Sequence, residues 1–172
     1  MTMVAGSFNV EATVNAFFAS AVASGSFPSG LFSVRPNVRY DWTMIAQSVP
    51  CFSLVYIPIE LRDKFEGRIV GTTSTSLGGW QKTLLEISSW VTSNNPAYMA
   101  QLRTMRDFIY EAFLPHPSIE IKDFTSNPAS PTDTGYKVNI DLPNEIAILR
   151  DENPALYRSR SLVTLSYTAR AA

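Results

Sequence analysis

Residue types that do chemistry are scarce in this chain. Its 172 residues include one histidine, His116, and one cysteine, Cys51. A Ser–His–Asp or Cys–His relay needs His116 as its base. That residue stands between Pro115 and Pro117, just past a helical segment, a setting that suits a dipole partner or loop residue better than a general base. Cys51 opens the most apolar stretch, CFSLVYIPI, where a thiol reads as a small buried hydrophobe rather than a reactive thiolate. One cysteine and one histidine also exclude a disulfide framework and a His/Cys metal cluster within one chain. A lone buried thiol fits a reducing compartment.

Carboxylates are the next candidates, because two can share acid–base work or hold a divalent cation. Asp107 and Glu111 are four residues apart on a helical segment, but Arg103 and Arg106 stand within the preceding turn. That pattern reads as a solvated face with i, i+4 pairs such as Arg103–Asp107. Asp151 and Glu152 share a loop with Asn153 and Pro154, without the alternating oxygen ligands and turn glycine of a calcium loop. Gly71–Gly79 has no lysine to meet a phosphate, and Gly78-Gly79 reads as a turn. No catalytic residue, metal ligand or cofactor site is therefore assigned.

The basic residues form two groups. Arg62, Lys64 and Arg68 are interleaved with Asp63, Phe65 and Glu66, and Arg158 and Arg160 follow Asp151 and Glu152. Residues two apart on a strand point to the same face, so Arg158 and Arg160 act together. Mixed signs suit the polar rim of a protein interface better than a nucleic acid. Arg62, Lys64, Phe65, Arg68, Arg158 and Arg160 are the candidate partner-contact residues. With 14 Lys+Arg against 15 Asp+Glu, nothing drives the chain toward DNA, RNA or an anionic membrane. Only 17% of residues are charged, below the usual ~25%, while aromatics reach 12%. Such a surface suits being covered by other subunits.

The elements that must carry these residues follow from periodicity. The length fits a single domain over residues 1–172. Val10, Val14, Phe17, Phe18 and Ala21 fall on one stripe of a helix capped by Asn9, ending near Ser24-Gly25 where the glycine can take a positive φ. No basic residue precedes Arg35, so this helix lacks the positive start of a secretory leader. No apolar run reaches the length of a membrane span. Leu31–Arg35 reads as a short strand, Asn37–Pro50 as an irregular connector, and Cys51–Ile59 as a central strand. Glu60–Gly79 reads as a projecting loop or hairpin arm.

Trp80–Val91 fits both a helical stripe and strand alternation, with Leu85, Ile87 and Val91 opposite Trp80, Leu84 and Trp90. Strand is preferred, because Asn95-Pro96 opens the next helix, Pro96–Phe113, with its own cap signal. Its stripe is Met99, Leu102, Met105 or Arg106, Ile109 and Phe113. Ile119–Phe124 alternates, Thr125–Gly135 reads as a loop, and Tyr136–Leu142 turns Tyr136, Val138, Ile140 and Leu142 inward. Pro143-Asn144 reads as a turn before Glu145–Arg150. Tyr157–Ala169 sets Tyr157, Val163, Leu165 and Tyr167 against Arg158, Arg160, Thr164, Ser166 and Thr168. The expected class is α+β: an antiparallel or mixed sheet of about five to six strands packed with two main helices, with 60–79 and 125–135 projecting.

This layout resembles the tail terminator, or tail-completion, proteins of long-tailed bacteriophages. The resemblance rests on the run SVPCFSLVY (Ser48–Tyr56), the LLEISSWV segment before a Met/Leu/Arg helix, and the closing LVTLSYTARA strand. It implies a structural, non-enzymatic virion protein, assembled in the host cytoplasm, that forms a homo-oligomeric ring, a hexamer, at the head-proximal end of the tail. Its implied partners are further copies of itself, the tail tube protein and the head–tail connector protein. DNA would be met only by passage through the lumen, and no membrane or cofactor is implied. The longer Asn37–Pro50 connector and the Thr125–Gly135 loop depart from the family's layout and leave open another head–tail joining or neck protein. A different class also stays open: a small α+β enzyme or ligand-binding module using His116 or a carboxylate in an aromatic pocket.

Overall fold

A computed structural model describes residues 3–25, 30–34, 45, 47–59, 78–150 and 155–171. Its axis is a pair of long strands, β4 (Gly78–Thr92) and β7 (Leu156–Ala171), antiparallel along the whole of β4. On one side of this pair lie β3 (Cys51–Ile59), antiparallel to β4, and β2 (Gly30–Val34), parallel to β3. On the other lie β6 (Thr132–Arg150) and β5 (Ser118–Asp123), both in antiparallel pairing. The order β2-β3-β4-β7-β6-β5 is a mixed six-strand path, and the three-residue β1 (Met3–Ala5) pairs off it with β7. Two long helices pack on this sheet, α1 (Ser7–Ser24) and α2 (Tyr98–Phe113), and residues 45, 47 and 48 are also helical. The arrangement is α+β, as the periodicity predicts.

Alternation along the strands builds one core under the helices. Phe52, Leu54 and Tyr56 of β3, Leu85, Ile87 and Val91 of β4, and Val163, Leu165 and Tyr167 of β7 are buried there. They meet Val10, Val14, Phe18 and Val22 of α1 and Leu102, Met105, Ile109 and Phe113 of α2. The α2 stripe thus takes Met105 and leaves Arg106 outside. Each buried Leu, Ile or Phe contributes about 1.5–3 kcal/mol relative to exposure. An aromatic cluster fixes the angle at which the helices sit: Phe18 stacks on Phe113 at 5.7 Å between ring centroids and meets Phe52 edge-on at 5.3 Å. Tyr98 stacks on Tyr157 at 4.4 Å and ties the start of α2 to the start of β7.

Several local expectations are corrected. Asn9 is no cap: Gly6 caps α1, and Asn9 is buried within the helix. Its Oδ1 accepts a hydrogen bond from the Phe124 backbone N–H at 3.0 Å, and its Nδ2 donates to Asp123 at 3.3 Å. Thr13, one turn on, accepts from the Lys122 N–H at 2.9 Å. Both polar residues lie on the buried stripe because they latch α1 to β5. Gly25 has φ −88°, so a left-handed stop is not its role. A Cβ there would come within 3.2 Å of the Phe108 ring, and close packing is what the glycine permits.

Gly78-Gly79 forms no turn; both lie in β4, opposite Arg170 and Ala169. Pro143-Asn144 does not reverse the chain either. β6 runs through it with register shifts between Asp141 and Asn144 and between Glu145 and Ala147. Proline has no N–H for the ladder, and a bulge is where a strand tolerates that loss. The loop expected over Thr125–Gly135 is shorter, because β6 starts at Thr132 and Gly135, at φ +76°, lies in the bulged stretch opposite β5. Tyr136 next to it is exposed rather than inward. The second helix begins at Tyr98, two residues after Pro96, and Asp107 pairs with Arg106 at 2.8 Å instead of Arg103. The segment 60–77, most of Asn37–Pro50, and Asp151 and Glu152 lie outside the described residues.

The α1–β5 latch generates two predictions. Asn9→Ala leaves the part-buried Phe124 N–H without its acceptor and lowers unfolding free energy by about 1 kcal/mol; an unchanged denaturation midpoint would remove the latch from the account. Ser126 and Thr125 hydroxyls bonded to Asp123 hold its carboxyl well below the usual carboxylate range. A lowered folded value stabilises above the unfolded value of about 3.9 and is lost as pH falls through the folded one. Asp123→Asn therefore costs stability at pH 7 and loses less than the parent on acidification. Parallel acid limbs in denaturation curves would contradict this.

Candidate functional site

The sheet face away from the helices carries a charged cluster built on Glu86. Pairing aligns it in rows: Cys51–Trp90–Arg158, Ser53–Ser88–Arg160 and Val55–Glu86–Leu162. Glu86 is only 5% exposed. Its carboxylate accepts from Arg160 Nη2, from Ser88 Oγ at 3.1 Å, and pairs with Arg158 Nη1 at 3.9 Å. The Arg158 guanidinium also lies 5.2 Å from the Trp90 ring centroid, within cation–π range. Trp90 Nε1 donates to Ser53 Oγ at 2.8 Å, so the one polar residue of the apolar strand β3 serves a buried indole.

The ends of this face differ. At one, Ile45 and Val49 pack on Cys51, Trp90 and Leu156. Toward the other, Val55, Leu84 and Leu162 are half-buried and Ile57 is 39% exposed. Ile57 and Leu84 are cross-strand partners, as are Val55 and Glu86. An accessible apolar row thus borders a charged network, the anatomy of an interface whose apolar centre has a polar edge.

Of the six residues singled out in the sequence, the structure brings Arg158 and Arg160 together on this face. Their side chains are 18% and 28% exposed. Arg62, Lys64, Phe65 and Arg68 lie outside the described residues. Glu86 was missed. Its signal was a lone acid in the apolar segment LLEISSWV, but only the β4–β7 register tells that it faces the two arginines.

The other chemical candidates are dispersed. Cys51 lies on this face, and burial pushes its thiol up to about 12, far from a nucleophile at neutral pH. His116 is exposed past the end of α2, edge-on to Phe17 at 5.1 Å on the helix side. Asp107 is ion-paired with Arg106 on the exposed part of α2. Tyr56 is buried and its hydroxyl donates to Asn15 at 2.8 Å; burial, then the Glu11 charge, raises its pKa well above the ordinary range. Among the described residues no group of three His, Cys, Asp or Glu side chains is placed to hold a metal ion. No described helix is long and apolar enough to cross a membrane.

Removing the central carboxylate tests the network. Glu86→Gln leaves two half-buried guanidinium groups without their counter-charge, at a cost of about 3 kcal/mol, the low end for a broken buried pair because both arginines reach water. A denaturation midpoint within experimental error of the parent's would show the network to be energetically silent.

No family model matches the chain, and no curated protein matches it. Solved structures do align with it: one covers 97% of this chain and 96% of its own, at 7% identity and a TM-score of 0.36, a likeness that carries no argument about fold or function.

Proposed function

We propose that this chain is a structural ring subunit, a tail terminator that caps the tail tube of a long-tailed bacteriophage and joins it to the head connector. The observation that supports the reading is the second sheet face, where the accessible row Ile57–Leu84 adjoins the Glu86–Arg158–Arg160 network. An apolar row of this kind gains from being covered by a neighbouring subunit, and the arginines give that contact an orientation. A ring closes when one subunit offers two unlike patches related by a closing rotation. The layout that resembles tail terminators and the low charged fraction point the same way. Arg62, Lys64, Phe65 and Arg68 are proposed to contact a neighbouring subunit or the tube.

Three experiments test this. Light scattering across concentration, alone and with purified tail tubes, is expected to find ring-sized oligomers, six subunits in the family's pattern, or binding to tube ends. A strictly monomeric mass that also ignores tubes would sink the reading. Ile57→Asp is expected to abolish assembly with the melting temperature kept within a few degrees, because the site is accessible. Full assembly by that variant would move the interface elsewhere. Replacing Arg62, Lys64, Phe65 and Arg68 together by alanine is expected to weaken binding at least about tenfold, the sum of several rim contacts. A lost fold with intact binding per folded molecule would make the segment a core element instead.

A further inference from the structure

The C-terminal halves of α1 and α2 flank an open groove of about 390 Å³ on the helix side of the sheet. Phe17 and Phe108 give it two half-buried aromatic rings. Their positions are set from behind: Phe17 packs on Phe113 at 5.5 Å, and Phe108 stacks on Phe52 at 5.8 Å. Ser20, Ala21 and Ser24 make one wall of short side chains along α1, and Glu111 stands on the α2 wall. The short wall leaves room for a chain to approach the rings.

Most of the fixed charge and dipole at this groove is negative. Both helices end beside it, α1 at Ser24 and α2 at Phe113. Each helix end presents outward carbonyls worth about half a negative charge. Neither helix has a basic residue in its last turn. Among the described lining residues Glu111 carries a carboxylate, His116 is the one titratable base, edge-on to Phe17 at 5.1 Å, and there is no lysine or arginine. Two negative helix ends, one exposed carboxylate and two aromatic faces all favour a cation. The apolar rings also favour the aliphatic stem that carries a lysine or arginine head.

We propose that this groove docks a protein segment presenting an arginine or lysine side chain beside an apolar residue. The cationic head pairs with Glu111 within the negative field of the two helix ends, its stem lies on the Phe17 and Phe108 rings, and the segment's backbone passes along Ser20 and Ser24. The groove lies on the opposite side of the sheet from the Ile57–Leu84 row, so this contact stands or falls independently of ring formation.

The test uses the full chain and two blocked dipeptides, N-acetyl-leucyl-arginine amide and N-acetyl-leucyl-glutamate amide, with saturation-transfer NMR observed on the peptide. The expected result is saturable transfer to the arginine stem and leucine protons, and none to the glutamate peptide. Glu111→Lys is expected to weaken the arginine peptide about tenfold and Glu111→Gln about threefold, as befits an accessible ion pair reversed or removed. Ser24→Phe fills the groove and is expected to abolish transfer, with circular dichroism unchanged at this exposed position. Glu111→Gln gives the same readout if Glu111→Lys fails to fold. Absence of transfer, equal transfer to both peptides, or binding indifferent to the Glu111 and Ser24 variants would each overturn the proposal.

Discussion

The pairing of β4 with β7 is the constraint on which the rest of the structure depends. It runs from Gly78–Arg170 to Thr92–Leu156 without a register shift. Side chains alternate with period two, so this one alignment sets both faces of the sheet. It puts Leu85, Ile87, Val163 and Leu165 under the helices and Glu86, Ser88, Arg158 and Arg160 on the other side. A slip of one residue would exchange the two sets and drive a carboxylate and two guanidinium groups into an apolar core. Burial on one face and ion pairing on the other therefore enforce the same register, and the shifts are confined to the outer pairings of β6 and β1.

The charged network has a second consequence. Taking Glu86 out of water is costly, and pairing with arginines that keep 18% and 28% of their side-chain surface open recovers only part of that cost. Pairs of this kind contribute more to orientation than to stability. On a face that also carries the Ile57–Leu84 row, an oriented positive edge would make the proposed subunit contact specific, whereas the apolar row alone would accept many partners.

Strand and helix periodicity was legible wherever burial alone decided the outcome. β3 has the limits that its apolar run gives, Cys51–Ile59, and β4 is a strand although Trp80, Leu84, Ile87 and Val91 also fit a helical stripe. The α2 stripe lies one side chain from ambiguity, at Met105 or Arg106, and the hydrophobe takes it. The features that were not legible depend on partners far along the chain. Asn9 looks like a cap because caps are local, but its partners are 114 and 115 residues away in β5 and its turn. Gly25 looks like a left-handed stop, yet its φ is −88° and what it permits is the close packing of the Phe108 ring. Pro143 looks like a turn because its bulge exists only relative to β7. Glu86 and Arg160 are 74 residues apart in the chain, and their meeting follows from register rather than from composition.

The two candidate surfaces also constrain each other. A two-fold dimer pairs one patch with itself, whereas a ring pairs two unlike patches that meet each other, and the row and the groove are separate surfaces rather than the two halves of one contact. The apolar row lies on the sheet face opposite the helices, and the groove lies among the helices. Their chemistry differs as well: one is an apolar row with an arginine edge, the other an aromatic groove under a negative field. Self-pairing of the groove would place Glu111 and two helix C-termini against their own copies, a like-charge arrangement that is disfavoured in water and more so when desolvated. The same argument makes the groove a place for a different, cationic segment. It leaves the sheet face, where the arginines already have Glu86 as counter-charge, as the surface better suited to bury apolar area against a neighbour.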